Sequence, residues 1–419
     1  MSTSYKTPAY FSGFSCLGGE CEDTCCRNWE VKLDREHFEL LNKAMSGNEH
    51  DKSMFEQYIH LNENSISSDH DYAFIRMGVN GYCAMLDSEG LCSIHAKYGV
   101  TPLGNVCTMF PRVISRCANT LELSGALSCP EVVRNCIDDE TPLKLTRFKA
   151  SELPRSKNYP ILRELSTLDE DYYSENFELV RKHMLQVMAN EEDNFETRLY
   201  VLANLAHHIS SFYHRDCDKL SENQLEKSLL ALTGREHTSN LDTFIKDYDA
   251  TPTFSMIVVH SVLSIKLQQA HTENISQVYQ KIIDALKLRD GNHADVLALQ
   301  LKNIQVSINN DVHKTIDKAL TRYIINCIYR EWFVSMPDPF TYIQMLLVRT
   351  AILRTLIYLD LGHGNNFEKS HVYERIVYIM YNFARNIDQN LEFLKVVYNA
   401  LSEQTMMTFD FSPVFIRIY

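Results

Sequence analysis

The stretch CLGGECEDTCCRNW, residues 16–29, sets Cys16, Cys21, Cys25 and Cys26 within eleven residues of one another. Further cysteines follow at Cys83, Cys92, Cys107, Cys117, Cys129 and Cys136, so ten of the chain's twelve lie in its first third. Only Cys217 and Cys327 lie beyond. Thiols gathered between glycines and polar residues are the donors a metal or an iron–sulfur cluster requires. The first third therefore reads as a thiol-organised module, and the rest of the chain must build its own core.

Length and charge narrow the field. With 419 residues the chain can hold two or three domains, and 45% hydrophobic with 23% charged residues is an ordinary globular balance. A formal net charge of −13 argues against nucleic acid as a partner, since such binders present a basic face. An acidic surface suits a basic protein partner, but it more often serves only solubility. The opening MSTSYKTPAYFSGFS lacks the charged and apolar regions of a signal peptide. No run approaches the roughly 18 apolar residues that span a bilayer, so no membrane association is expected. The expected compartment is the cytoplasm, where thiols stay reduced and metal ligation explains the cysteines better than disulfides do.

Ten of the fourteen glycines fall at or before Gly125, and past about residue 160 long helical patterns take over. Pro142 to Pro160 reads as the linker, which divides the chain into a cysteine-rich module at 1–150 and a helical domain at 151–419. Within the module, residues 29–45 read as an extended start leading into a helix capped by Asp34. A short helix is expected at 54–61, and extended pieces at 72–77 and 121–127. The module is expected to be irregular and held by metal more than by a core. Helices are predicted at 175–190, 194–213, 220–232, 253–271, 275–289, 295–309, 311–334, 340–361, 367–386 and 388–402. MPDP at 336–339 reads as a helix break, and GHGNN at 362–366 as a helix C-cap and loop. The fold class is mainly α, with a few short strands in the cysteine-rich module.

Three more fragments surround thiols with turn chemistry: GYCAMLDSEGLCSIH (81–95), LGNVCTMFPR (103–112) and LELSGALSCPE (121–131). Cys21-x3-Cys25-Cys26, then Cys83-x-x-Leu86-Asp87 with Gly90-Leu91-Cys92-Ser93-Ile94, then Cys107-x-x-Phe110-Pro111-Arg112, resembles the zinc- or iron-chelating cysteine-cluster proteins of bacteria. With Asp23-Thr24-Cys25-Cys26, Trp29 and Ser128-Cys129-Pro130-Glu131 added, the chain is similar to the flagellin lysine-N-methylase family over roughly residues 10–136. The resemblance implies methylation of surface lysines of flagellin, with S-adenosylmethionine as donor and a [4Fe–4S] cluster on the cysteines.

Short turns must fix each thiolate, and adjacent cysteines seldom reach one site together. The favoured ligands are Cys21, Cys25 or Cys26, Cys92 and Cys107, with Cys16, Cys83 and Cys129 as further candidates. One cubane needs four cysteines, so the surplus either packs as small hydrophobes or marks a second metal site. Neither the Cys-x3-Cys-x2-Cys motif of radical S-adenosylmethionine enzymes nor a Gly-x-Gly-x-x-Gly turn is present. Tyr72, Tyr82 and Tyr98 flank the module and read as half-buried packing. His95 follows Cys92 by three residues and is a further ligand candidate. His207 and His208 point about 100° apart on one helix and cannot share a metal in the i, i+4 manner. Two other readings stay open: a non-enzymatic zinc-binding interaction protein, and an iron–sulfur redox protein.

Overall fold

The structure is a computed structural model that describes residues 4–27, 31–63, 69–78, 81–155, 159–165, 172–212, 220–248, 252–269, 293–332, 336–364 and 367–417. It divides into two compact units, one of Met1–Val132 with Leu145–Leu165 and one of Val133–Lys144 with Ser166–Tyr419.

In chain order the first unit carries β1 (Ser4–Pro8), α1 (Ala9–Ser12), β2 (Val31–Leu33), α2 (Arg35–Met45), α3 (Glu49–Tyr58), β3 (Ile59–Leu61) and β4 (Ala73–Ile75). It continues with α4 (Ser93–Tyr98), α5 (Asn105–Met109), β5 (Arg112–Cys117), β6 (Thr120–Gly125), the start of α6 (Pro130–Asp138), β7 (Leu145–Lys149) and β8 (Arg163–Leu165). Asp34 caps α2 as expected, its side chain accepting the His37 backbone N–H. The helix expected at 54–61 begins earlier, because Asn48 caps α3 by accepting from the N–H groups of His50 and Asp51. Its last three residues leave as β3 and pair with β4 in a three-stranded sheet, order β2-β4-β3.

The second sheet has five strands in the order β7-β1-β6-β5-β8. β1 runs parallel to β6, with Lys6 opposite Glu122, and antiparallel to β7 from Ser4↔Lys149 to Pro8↔Leu145. The segment read as a linker is thus partly a strand, with Phe148 buried from it. The cysteine-rich module also has an apolar core of its own. Val31, Leu33, Leu41, Met45, Phe55, Ile59, Ile75, Met85 and Ile94 form a core beneath the three-stranded sheet. Burying such side chains stabilises the unit by about 1.5–3 kcal/mol each.

Gly125 at the end of β6 shows how tightly the five-stranded sheet is closed. A Cβ there would stand 2.7 Å from both the Phe11 ring and Val132 Cγ1, and both residues are almost fully buried. Neither a ring edge nor a helix-borne Val has room to retreat, so Gly125→Ala is expected to cost about 1–3 kcal/mol. Urea denaturation checks this, and an unchanged midpoint would show that the contact can relax.

The second unit is helical: α7 (Tyr172–Ala189), α8 (Phe195–Ser210), α9 (Glu222–Thr233), α10 (Arg235–Asp247), α11 (Pro252–Gln269), α12 (His293–Ser307), α13 (Asn310–Glu331), α14 (Pro339–Gly364), α15 (Lys369–Phe383), α16 (Leu391–Glu403) and α17 (Ser412–Ile416). The helix predicted at 275–289 lies outside the described residues. α10 is an addition to the expected set. α14 is buried around its whole circumference from Phe340 to Leu359, which marks it as the central helix of this unit. It packs against α8, α12, α13, α15 and α17. Its start follows the expected break, with Asp338 accepting from the N–H and hydroxyl of Thr341. Gly362 lies inside α14 and not in a cap, where a Cβ would meet Ile304 Cδ1 at 2.3 Å.

Buried charges hold this unit together. Arg349 on α14 bonds Glu331 at 2.8 Å and Asp388 at 3.4 Å, and Tyr323 donates to Asp388 at 2.9 Å. A π-helical turn, Ala384–Asp388, extends α15 and brings Asp388 to this network. Desolvation pushes the Asp388 carboxyl up to about 6 despite the guanidinium beside it.

Candidate metal centre

One local geometry recurs at the cysteines. The Gly18 N–H approaches Cys16 Sγ at 3.4 Å, and the Asp23 N–H donates to the sulfur of Cys21. Cys83 accepts from Met85, Cys92 from Ile94 and His95, and Cys129 from Glu131 and Val132. Each turn aims a backbone dipole at a sulfur two residues earlier. Such hydrogen bonds stabilise the thiolate over the thiol and orient a ligating sulfur.

Four thiols converge in the first unit. Cys25, Cys83, Cys92 and Cys107 lie within electrostatic reach of one another, although up to 82 residues separate them in sequence. The Cys83 N–H donates to the Cys26 carbonyl at 2.8 Å, which ties the first cysteine stretch to the second. Between Cys83 and Cys92, Asp87 Oδ1 accepts from the N–H groups of Glu89 and Leu91 at 2.9 Å each. Gly90, at φ +77°, completes that turn. Cys92 then caps α4, and Cys107 rides on α5. Cys26 packs against the hydrophobic core, as Cys92 and Cys107 also do.

Burial pushes the thiols of Cys83, Cys92 and Cys107 up, and their mutual repulsion adds to the shift. Arg155 pulls Cys107 partly back. These three sulfurs, with the exposed Cys25 beside them, can be thiolates together only if a bound cation offsets their charge.

A second group joins Cys16, Cys21 and Cys129, again within electrostatic reach of one another. Burial pushes the Cys129 thiol up to about 12. Cys21, favoured in the sequence with Cys25 or Cys26, lies near Cys16 and Cys129, and Cys83 lies near Cys25, Cys92 and Cys107. Of the other cysteines, Cys117 is buried on β5, and Cys136 and Cys327 are buried in the helical unit. Cys217 lies outside the described residues.

Arg155 escaped the sequence reading because an isolated cation in a proline-flanked segment has no periodicity. It donates to Asn105 Oδ1 at 2.7 Å, Thr108 Oγ1 at 2.9 Å and the Leu103 carbonyl at 3.1 Å, and it contacts the His37 ring. These bonds hold α5, and so Cys107, against the start of α2. Asp34 completes the network, meeting His37 Nδ1 at 2.7 Å and accepting from Asn105 Nδ2 at 2.8 Å. Although burial opposes it, hydrogen bonds from His37 hold the Asp34 carboxyl below its ordinary value.

A pocket of about 580 Å³ opens beside this network, lined by Asp34, Glu36, His37, Glu39, Asn105 and Tyr159 among others. Among the described residues, donor atoms of Asp34, Glu36 and His37 all lie within 4.8 Å of one another, and no set of three cysteines is drawn that close.

α4 is pinned through Asp51 on α3, which accepts from Lys97 Nζ and from the Tyr98 hydroxyl at 2.6 Å each. Hydrogen bonds from these two partners hold the Asp51 carboxyl below its ordinary value. A carboxyl with a depressed folded pKa contributes stability that is present above its unfolded pKa and is lost as pH falls through the folded one. Stability between pH about 4 and 7 is therefore expected to depend little on this group, with a loss below that range that Asp51→Asn reduces. Denaturation midpoints across pH check this, and equal acid sensitivity in both proteins would contradict it.

The remaining candidates are spread over the surface or packed in the core. His95 is exposed, and only its backbone N–H serves Cys92. The His207 ring stacks on Phe409 at 4.9 Å, and His208 sits edge-on to Phe212 at 5.0 Å. Tyr72 packs edge-on to Phe38, Tyr82 lies beneath Arg27, and Tyr98 bonds Asp51.

Fold and site together define a mainly helical protein with a thiol-rich N-terminal unit. The chain belongs to the FliB lysine N-methylase family, whose C-terminal domain model matches residues 181–411, more than half of the chain. It is 28% identical over 164 residues to the "Flagellar biosynthetic protein FliU" of Salmonella muenchen, covering 37% of this chain and 94% of that protein. It is also 28% identical over 141 residues to proteins named "Lysine-N-methylase" from Salmonella typhimurium and Salmonella choleraesuis, covering 33% of this chain. The matched part spans 34% of the length of each of those two proteins. No solved structure matches the chain.

Proposed function

We propose that the chain is a protein-lysine N-methyltransferase that takes its methyl group from S-adenosylmethionine and acts on surface lysines of flagellin in the cytoplasm. Membership in the lysine N-methylase family is the observation that carries the reaction type, and the names of the flagellar relatives favour flagellin as substrate. The site is proposed to hold a [4Fe–4S] cluster on Cys25, Cys83, Cys92 and Cys107. One feature of the donor set supports a cluster over a single zinc ion. Four cysteines fit a cubane and a tetrathiolate zinc site alike, but among the described residues no three cysteine sulfurs lie within 4.8 Å of one another, as donors around one ion would. When bound, the cluster supplies a centre that can store charge or tie the four segments together.

Methyl transfer itself needs a neutral lysine amine in line with the sulfonium carbon–sulfur bond. The carbon–nitrogen bond forms as the carbon–sulfur bond breaks, the electron pair stays on sulfur, and the amine loses its proton to a base or to water. The pocket beside α5 falls within the usual size range of small-molecule sites. Its acidic lining suits the cationic sulfonium of the donor or the ammonium of an incoming lysine.

The two alternative readings, zinc-held interaction protein and iron–sulfur redox protein, differ in measurable ways. Anaerobic purification followed by absorption spectroscopy and metal analysis is expected to give a brown protein with iron and sulfide. A colourless protein with stoichiometric zinc would remove the cluster. Transfer of labelled methyl from S-adenosylmethionine to flagellin lysines separates the enzyme from both alternatives, and no label under reducing, anaerobic conditions would remove the methyltransferase.

A further inference from the structure

We infer that Cys16, Cys21 and Cys129 form a second thiolate-held metal centre, with three protein ligands and one coordination position left open. The inference deepens the proposed cluster-bearing unit but depends on different residues. The three cysteines are drawn together by the fold and not by sequence proximity, since Cys129 lies 108 residues after Cys21. Parallel pairing of β1 with β6 brings the chain's start beside the strand that leads to Cys129. Gly125 then lets Phe11 and Val132 close on β6 with no space for a Cβ between them. Phe11 stands five residues before Cys16 and Val132 three residues after Cys129, so the same contact anchors both thiol-bearing turns.

Each of the three sulfurs accepts a backbone N–H from two residues onward, the same device found at Cys83 and Cys92 in the four-thiol set. Such an arrangement favours ligation over inert packing. Arg112, at the head of β5, lies within electrostatic reach of Cys16 and Cys129, and its guanidinium rests over the Phe14 ring at 5.1 Å. Three thiolates around a cluster of charge +2 leave one net negative charge, which the guanidinium offsets. Access is graded: Cys16 is exposed, Cys21 half-buried and Cys129 buried. An incoming metal can therefore reach the site from solvent, and a non-protein ligand can occupy the open position. These three sulfurs too lie outside the 4.8 Å closeness that donors around one ion would show, so the centre is an iron–sulfur cluster, and the zinc arm of the test checks this.

The full chain is reconstituted anaerobically, in one arm with zinc alone and in the other with ferrous iron and sulfide. After desalting, metal and sulfide per chain are measured for wild type, Cys16→Ser/Cys21→Ser and Cys25→Ser. The double variant changes only accessible or half-accessible positions, and circular dichroism confirms that it folds. It is expected to lose one metal centre relative to wild type, and the arm in which the loss appears identifies the metal. Cys25→Ser is expected to lose the other centre and keep this one. Wild-type metal content in the double variant in both arms would overturn the inference, as would a wild-type chain that holds a single centre. Failure of the four-thiol assignment shows instead as full metal content in Cys25→Ser.

Discussion

Cys107→Ala is expected to lose the metal of the four-thiol set and methyl transfer together. Cys107 is a half-buried donor, brought to Cys25, Cys83 and Cys92 by α5. Removing it leaves three sulfurs and an incomplete charge balance around any cluster. The loss of metal affinity should exceed the roughly 10–100-fold typical of deleting an outer hydrogen-bond partner. Arg155→Met tests that lower range, because Arg155 holds α5 through Asn105, Thr108 and the Leu103 carbonyl without touching the proposed cluster. Cys327→Ala is the control. Cys327 is fully buried in the helical unit beside Glu331 and Asp388, and its replacement should leave metal content unchanged. Metal analysis after anaerobic desalting reads all three. Full metal content in Cys107→Ala would show that the four thiols do not act as one ligand set.

Arg349→Met should destabilise the helical unit by about 3–5 kcal/mol. Glu331 and Asp388 both bond this guanidinium, and the substitution leaves two carboxylates buried without their main counter-charge. Arg330 still neighbours Glu331, so part of the charge remains compensated. The double variant Arg349→Met/Asp388→Asn should recover part of the loss, since it removes one stranded charge while keeping an amide acceptor for Tyr323. Urea denaturation followed by circular dichroism reads the difference, and a loss below about 1 kcal/mol in Arg349→Met would place the network closer to solvent than its burial implies.

The helices that carry the core were legible because their apolar residues recur at helical spacing. Phe195, Leu199, Leu202, Leu205 and Ile209 were read on one face of a helix, and all are buried on α8. α10 escaped because little of it is apolar and only Thr238 and Ile245 of its residues are buried. β7 was hidden in the supposed linker, since one buried Phe148 among charged neighbours makes no alternating pattern. The charged network was invisible for a related reason: Glu331, Arg349 and Asp388 read in sequence like surface charges, and only the packing of three helical segments brings them together.

At the cysteines, residue types pointed to metal chemistry, but their grouping depended on tertiary structure. Local spacing placed Cys21 with Cys25. The sheet carries Cys129 to Cys16 and Cys21, and the Asp87 turn and α5 carry Cys83, Cys92 and Cys107 to Cys25. Turn chemistry was readable in advance, as the Ser88-Glu89-Gly90 segment shows, whereas long-range register was not.

The most direct test of the proposed function is mass spectrometry of purified flagellin after anaerobic incubation with the reconstituted protein and S-adenosylmethionine. Peptide mapping is expected to show methyl-lysine at exposed positions with wild type and none with Cys107→Ala. Flagellin that remains unmodified with fully metal-loaded wild-type protein would contradict the assignment of this chain as a flagellin lysine methyltransferase.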